Sequence, residues 1–315
     1  MSVKRATILE MSGAYKYLFG PVPSRRLGRS LGIDVTPFKT CSFDCVFCQC
    51  GSTTQLVTER GEFVPLQEVC AEIEQWLEED GAADCITFAG SGEPTLYSRL
   101  GELIDFIKER TSIPVIVLSN GTLLHRITVR DELLKADIVK VSLSAWDDAS
   151  FQKINRPAPG LSFEQVLAGE RDFREAFSGE LWMEVFLMEG INAEAEQVRK
   201  IAEAVAGIRP DRIHLNTAVR PPAEAAVHPV TKEKLESLCE LFTPHAEVIA
   251  SFSADAGFAG ALDVEKLVGL LRRHPATAAQ LAQSFGVEPA AVLSLLSDPR
   301  LQTEVRGRET YYKCR

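Results

Sequence analysis

Residues 40–50, TCSFDCVFCQC, carry four of the chain's eight cysteines within ten positions. The spacing is C-x3-C-x2-C over Cys41, Cys45 and Cys48, with Cys50 two residues further on. Four readings compete for such a loop. Buried structural cysteines scatter at core spacing, as Cys70, Cys85 and Cys239 do. Disulfides belong to oxidising compartments. A tetrahedral zinc site can use four thiols, but paired zinc turns usually sit on two separated C-x2-C segments. An iron–sulfur cluster held by three thiolates leaves one iron without a protein ligand, a defect in an electron carrier but an open binding position in an enzyme.

The rest of the chain narrows the setting. With 315 residues, 45% of them hydrophobic, it is long enough for one large domain or two. No apolar run approaches the roughly 18 residues of a membrane span. The first residues, MSVKRATILEMSG, lack an apolar signal core. A reducing cytoplasmic setting is therefore expected, in which clustered thiols read as metal or redox groups.

Apolar strand-like runs at 31–38, 85–90, 114–120, 137–145, 180–188 and 211–218 alternate with amphipathic stretches. Those stretches are helical in period at 66–77, 100–107, 162–177, 194–208 and 231–242, and a weak seventh strand is expected at 247–252. Alternation of this kind predicts an α/β fold with a parallel sheet covered on both faces. Six units predict a partial (βα)6 barrel or an open doubly wound sheet, which the pattern does not separate. Cys41 follows the first strand, and sites in such folds gather at the carboxyl ends of strands.

After residue 258 the chain changes character. A small-residue connector leads into three short helical patterns, the last two joined at Gly286, and then a hairpin turning at Gly307. This predicts a boundary between domains at 1–258 and 262–315, the second either winged-helix-like or a plain packing module. Eight basic and six acidic residues give 262–315 a charge of +2, leaving −12 for the remainder of a −10 chain. Arg300, Arg306 and Arg308 are its candidate nucleic-acid contacts.

The segment CSFDCVFC resembles the signature of the radical S-adenosylmethionine (SAM) superfamily, with Phe47 in the aromatic slot. FAGSGEPTL (88–96) resembles its Gly-Gly-Glu segment, with Ser91 inserted, and LSNGT (118–122) its ribose-binding segment. FGPVPSRRLGRSLGIDVTPFKTC, SLSAWDDASFQKINRP and HLNTAVRPPAE resemble an uncharacterised branch related to the wyosine-synthesising tRNA-modifying enzymes. The resemblance spans roughly residues 15–255. It implies that Cys41, Cys45 and Cys48 hold a [4Fe–4S] cluster whose fourth iron chelates SAM, and that one-electron reduction yields methionine and a 5′-deoxyadenosyl radical. It further implies that Phe47 packs over the cluster or adenine, and that Gly90 and Gly92 bring backbone carbonyls to the methionine ammonium. Glu93 either pairs with that ammonium or caps the following helix. Ser119 and Asn120 are expected on the ribose, and Ser142 or Ser144 near SAM.

A low-potential donor of ferredoxin or flavodoxin type is the implied partner. Arg25, Arg26 and Arg29 form either a solvated turn or an anion contact, and Arg220 is a candidate for a carboxylate. The five histidines show no metal-ligand spacing. Three functions remain: modification of tRNA, radical modification of a protein or peptide, and a DNA-binding iron–sulfur redox sensor. The acidic charge of residues 1–258 opposes the first, while strand-end segments with no use in a sensor oppose the third.

Overall fold

The computed structural model describes residues 15–24, 26–79, 81–249, 264–273, 275–306 and 309–314. Its centre is one eight-stranded sheet: β1 (Leu18–Ser24), β2 (Gly28–Ile33), β3 (Cys85–Phe88), β4 (Val115–Leu118), β5 (Ile138–Ser142), β6 (Glu180–Phe186), β7 (Arg212–Asn216) and β8 (Glu247–Val248). Each strand lies beside its neighbour in sequence, and all pairings after β1–β2 are parallel. A doubly wound sheet would reverse its order at a switch point. This one never does, so the fold is a partial barrel.

The crossovers are α1 (Leu66–Glu79), α2 (Leu100–Lys108), α3 (Ile127–Leu133), α4 (Asp148–Ile154) with α5 (Phe163–Ala176), α6 (Ala195–Ile208) and α7 (Lys232–Cys239). Their apolar stripes pack on the outward residues of the strands. Val139 and Val141 are buried there, while Lys140 and Ser142 alternate to the other face. The helix starts are written locally. Ser162 accepts from the Gln165 amide to open α5, Thr231 from Lys234 to open α7, and Asp147 with Ser150 forms a capping box on α4.

Two features escape the sequence pattern. The short helices α3 and α4 give too few turns for a period to register. The edge strand β1 reads LFGPVPS, and its Gly20, Pro21 and Pro23 look like strand breakers. An edge strand tolerates them because one row of its amides faces away from the ladder, and the register shifts between Phe19 and Val22. Arg26, in the turn after β1, forms an ion pair with Glu247 of β8 and donates to the Val248 carbonyl at 3.4 Å. That clasp links the two edge strands of the sheet, a use the sequence reading did not give Arg26. Arg29 pairs with Asp84 at 3.6 Å; Arg25 lies outside the described residues.

From residue 264 onward come α8 (Val264–Arg273), a short strand β9 (Ala276–Thr277), α9 (Ala278–Phe285), α10 (Pro289–Leu295), β10 (Leu301–Arg306) and β11 (Glu309–Cys314). The last three strands form a sheet in the order β9–β11–β10. Leu267, Leu271, Leu281, Phe285 and Val292 make a core of their own. The connector and the expected Gly307 turn lie outside the described residues. These elements are not remote from the barrel. Helices α8 and α9 pack on β1, and the Tyr311 hydroxyl donates to the Val219 carbonyl at 3.4 Å.

Candidate active site

The cysteine loop is built between the end of β2 and α1, and three separate segments hold it. Its own backbone closes through Cys48 N–H to Cys45 carbonyl at 3.1 Å. Thr40–Cys41 pairs in parallel with Gln55–Leu56. The end of α4 straps the other side: the Val46 and Asp44 amides donate to the Ile154 and Asn155 carbonyls at 3.0 Å each, and Ala158 N–H to the Ser42 carbonyl at 2.9 Å.

Each cysteine sulfur of the C-x3-C-x2-C motif receives a donor. Asn120 Nδ2 and the Phe43 amide reach Cys41 Sγ at 3.5 Å, Asn155 Nδ2 reaches Cys45 Sγ at 3.5 Å, and Lys39 Nζ reaches Cys48 Sγ at 3.1 Å. Burial pushes the Cys41 thiol up to about 12 and raises Cys45 as well. Cys48 moves the opposite way, lowered by a hydrogen bond from the Cys50 thiol and by the Lys39 ammonium. Burial alone would lower Lys39, but the charge on Cys48 holds it above its ordinary value. Lys39 is 3% exposed and adopts the left-handed region at φ 57°. A lysine held this way, with its ammonium on a sulfur, is a residue the sequence reading missed. So is Asn155, 110 positions from Cys45.

The other expected site residues lie against this loop, each with partners within the chain. Glu93 is almost fully buried, and its carboxylate accepts from the Thr95 amide (3.0 Å) and hydroxyl (2.6 Å), the Ser119 hydroxyl (2.8 Å) and the Asn120 amide (2.8 Å). It caps the single turn Pro94–Leu96 and ties the second strand-end loop to the third. Burial raises its carboxyl, with those four donors working against the rise. The capping role expected of it is present. Ser119 Oγ donates to Glu93 and accepts from the Gly121 amide at 3.1 Å. Asn120 holds Ser42 Oγ at 2.9 Å through Nδ2, and its Oδ1 accepts from Thr122. Both side chains expected on the ribose thus brace the loops.

Gly92 is required by the Thr40 carbonyl, which would stand 2.2 Å from a Cβ, and Gly90 by the Asp34 carboxyl at 2.2 Å. A side chain at either position would collide with the chain itself. Asp34, also missed, accepts from the Ser91 amide and hydroxyl at 3.2 and 3.1 Å. Phe47 stacks on Phe186 with centroids 4.4 Å apart, in a small apolar cluster at the rim. The Ser144 hydroxyl accepts from the Phe186 amide at 3.0 Å. Cys50 meets Cys48 and lies 4.0 Å from the Gly90 carbonyl.

Does this donor set suit an iron–sulfur cluster? Among the described residues no three Cys, His, Asp or Glu side chains converge as a single-ion site requires. A cluster whose irons are each bound by a different thiolate does not need that convergence. Three cysteines on one loop, each sulfur with an N–H donor, match the way such clusters are held and tuned. The set fits.

The radical SAM superfamily model matches residues 35–204, from the segment before Cys41 to α6. The chain belongs to the radical SAM superfamily. Members of this superfamily bind a [4Fe–4S] cluster and S-adenosylmethionine. This radical SAM chain is 39% identical over 285 residues to a Brachyspira hyodysenteriae protein called GTPase Obg, covering 89% of this chain and 42% of that protein. The chain thus spans less than half of that relative's length, and it contains no Gly–Lys pair from which a phosphate-binding GxxxxGK[S/T] loop could be made. It is 35% identical to UPF0026 protein MJ1312 of Methanocaldococcus jannaschii, covering 71% of this chain and 70% of that one. Among solved structures, TYW1 with a lysine–pyruvate adduct bound superposes with a TM-score of 0.53 at 18% identity, over 72% of this chain and 78% of that one. At that identity the likeness concerns the fold.

No helix among the described residues is long and apolar enough to cross a membrane.

Proposed function

We propose that this chain reductively cleaves SAM and abstracts hydrogen from a substrate, with tRNA the first candidate and a protein or peptide the second. The observation that carries the reading is the joining of the Cys41–Cys45–Cys48 loop to the two strand-end loops through Asn120 and Glu93. Cys41, Cys45 and Cys48 would hold the cluster; with SAM bound it supplies a 5′-deoxyadenosyl radical that takes hydrogen. The protein's own share is positioning and exclusion of water. Lys39, Asn120 and Asn155 fix the sulfurs, Glu93 fixes the loops, and Phe47 with Phe186 closes the rim. A low-potential reductant of ferredoxin or flavodoxin type would deliver the electron.

The tRNA reading draws on the likeness to TYW1 and on a cleft of about 520 Å³ beside the cluster loop. Gln49, Cys50 and Gly51 line one side of it, and Arg272, Arg300 and Lys313 the other. Arg300 is also held by Glu265 (2.7 Å) and Asp298 (2.9 Å), which weakens its candidacy as a phosphate contact; Arg308 lies outside the described residues.

The test is turnover under anaerobic conditions. Reconstituted protein given dithionite and SAM should release 5′-deoxyadenosine slowly, and faster with bulk tRNA, the acceleration falling with added salt as phosphate contacts require. Intact SAM after reduction of a fully loaded cluster overturns the enzymatic reading. Acceleration by a peptide fraction alone moves the substrate to the second class.

A further inference from the structure

The fourth cysteine of the loop, Cys50, lies outside the C-x3-C-x2-C motif, and the cluster assignment leaves it without a task. A turn brings it to Cys48: the Gly51 amide donates to the Cys48 carbonyl at 3.2 Å. Gly51 sits in the left-handed region there, at φ 85°, which glycine adopts without strain. Both thiols are free, and that of Cys50 donates a hydrogen bond to the Cys48 sulfur. Cys41 and Cys45 are held differently, each sulfur receiving a side-chain amide at 3.5 Å, from Asn120 and Asn155.

Access is the second observation. Cys50 lines the cleft of about 520 Å³, between Gln49 and Gly51, so a small solute in the cleft meets its sulfur. The thiol that touches a cluster ligand is therefore one that an oxidant can reach. A thiol attacked by peroxide passes first to sulfenic acid, which is reversible, and then to sulfinic and sulfonic acids, which thiols do not reduce. A neighbouring thiol stops that series at its first step by condensing to a disulfide. Residues two apart in a tight turn fall within the roughly 4.4–6.8 Å Cα separation that a disulfide spans.

On the reading of Cys48 as a cluster ligand, we propose that Cys50 protects it: when peroxide destroys the cluster, the two residues close a disulfide that keeps the ligand recoverable. Hydrogen peroxide oxidises the Cys50 thiol to sulfenic acid and departs as one water. The Cys48 sulfur, released from iron, attacks the Cys50 sulfur; the S–O bond breaks, and the hydroxyl leaves with the Cys48 proton as a second water. Two thiols are oxidised and one peroxide is reduced. A thiol reductant reopens the bridge by exchange, and Cys48 is again free to bind iron.

The experiment treats reconstituted full-length protein with hydrogen peroxide until the visible absorbance of the cluster is gone. Remaining thiols are then labelled with N-ethylmaleimide in denaturant and the chain is digested with trypsin. Cleavage after Lys39 and Arg60 leaves all four cysteines on one peptide, residues 40–60. Fragmentation of that peptide should place a bridge between Cys48 and Cys50. After dithiothreitol the parent should reload iron to nearly its first level. Cys50→Ala given the same peroxide should reload to roughly half of that or less, with Cys48 found as sulfinic or sulfonic acid. Label on both Cys48 and Cys50, a bridge from Cys48 to Cys41 or Cys45, or equal reloading by Cys50→Ala overturns the proposal. Iron loading before peroxide is read separately. Cys50→Ala equal to the parent at that stage keeps the three-cysteine assignment standing whatever the bridge does, and a shortfall there would make Cys50 a ligand and overturn both.

Discussion

Glu93 and Asn120, 27 positions apart, are joined by a 2.8 Å hydrogen bond from the Asn120 amide to Glu93 Oε2, while Ser119 donates to the other carboxylate oxygen at 2.8 Å. One buried acid therefore sets the spacing between two strand-end loops, and Asn120 passes that placement on to Ser42 and Cys41. Replacing Glu93 by Ala should strip four buried donors of their acceptor and destabilise the chain by about 3 kcal/mol or more. Glu93→Gln, which keeps an acceptor oxygen, should recover part of that loss. In both variants SAM affinity, measured by equilibrium dialysis on reconstituted protein, should fall further than iron content does. Equal affinity in parent and Glu93→Ala would show that the loops hold their spacing without it.

Iron content separates the cysteines. Anaerobic reconstitution should load roughly four irons and four sulfides per chain. Replacing Cys41, Cys45 or Cys48 by Ala should abolish loading, and Cys50→Ala should leave it. Purified protein that carries a single zinc and needs Cys50 would contradict the assignment.

Lys39 should matter through charge more than through packing. Its ammonium lies 3.1 Å from Cys48 Sγ. Lys39→Met keeps most of the stem and removes the charge, so the reduction potential of the loaded cluster should move to more negative values in an anaerobic redox titration, since a nearby cation favours the reduced, more negative cluster. An unchanged potential would limit Lys39 to a structural part.

Glu170 predicts a pH dependence. It is fully buried on α5, neither carboxylate oxygen is hydrogen-bonded among the described residues, and burial raises it well above its ordinary 4.5. The folded chain thus keeps a proton that the unfolded chain releases near pH 4.5, and stability falls as pH rises above that value. Urea unfolding of Glu170→Met should show a larger gain over the parent at about pH 8 than at about pH 5. A gain independent of pH would mean that Glu170 ionises freely in the folded state.

Truncation at residue 258 tests the C-terminal elements. The sequence suggests few contacts across the connector, yet α8 and α9 pack on β1, and Leu270 and Ala276 help line a cavity inside the barrel. The truncated chain should still load its cluster, but with stability lower by on the order of 2 kcal/mol, the scale of one or two large apolar side chains losing their cover. Loss of stimulation by tRNA in the same protein would support a docking role. Unchanged stability and unchanged stimulation would return these elements to an appendage.

The sequence by itself determined what is local and periodic. The three-cysteine spacing, with two strand-end segments, carried the family resemblance that implied the chemistry, and the alternation of strand and helix named the parallel α/β fold, because side-chain spacing along an element is fixed by that element's own geometry. Caps such as Ser162 and Thr231 were also written locally. Tertiary structure decided everything that depends on distant residues meeting. It chose a partial barrel over a doubly wound sheet, since strand order is a matter of which neighbours pair. It gave Glu93, Ser119 and Asn120 to one another, placed Lys39 and Asn155 on the sulfurs, and buried His214 against Trp182. None of these has a signal along the chain, because a hydrogen bond between residues 27 or 110 positions apart leaves no period in the sequence that makes it.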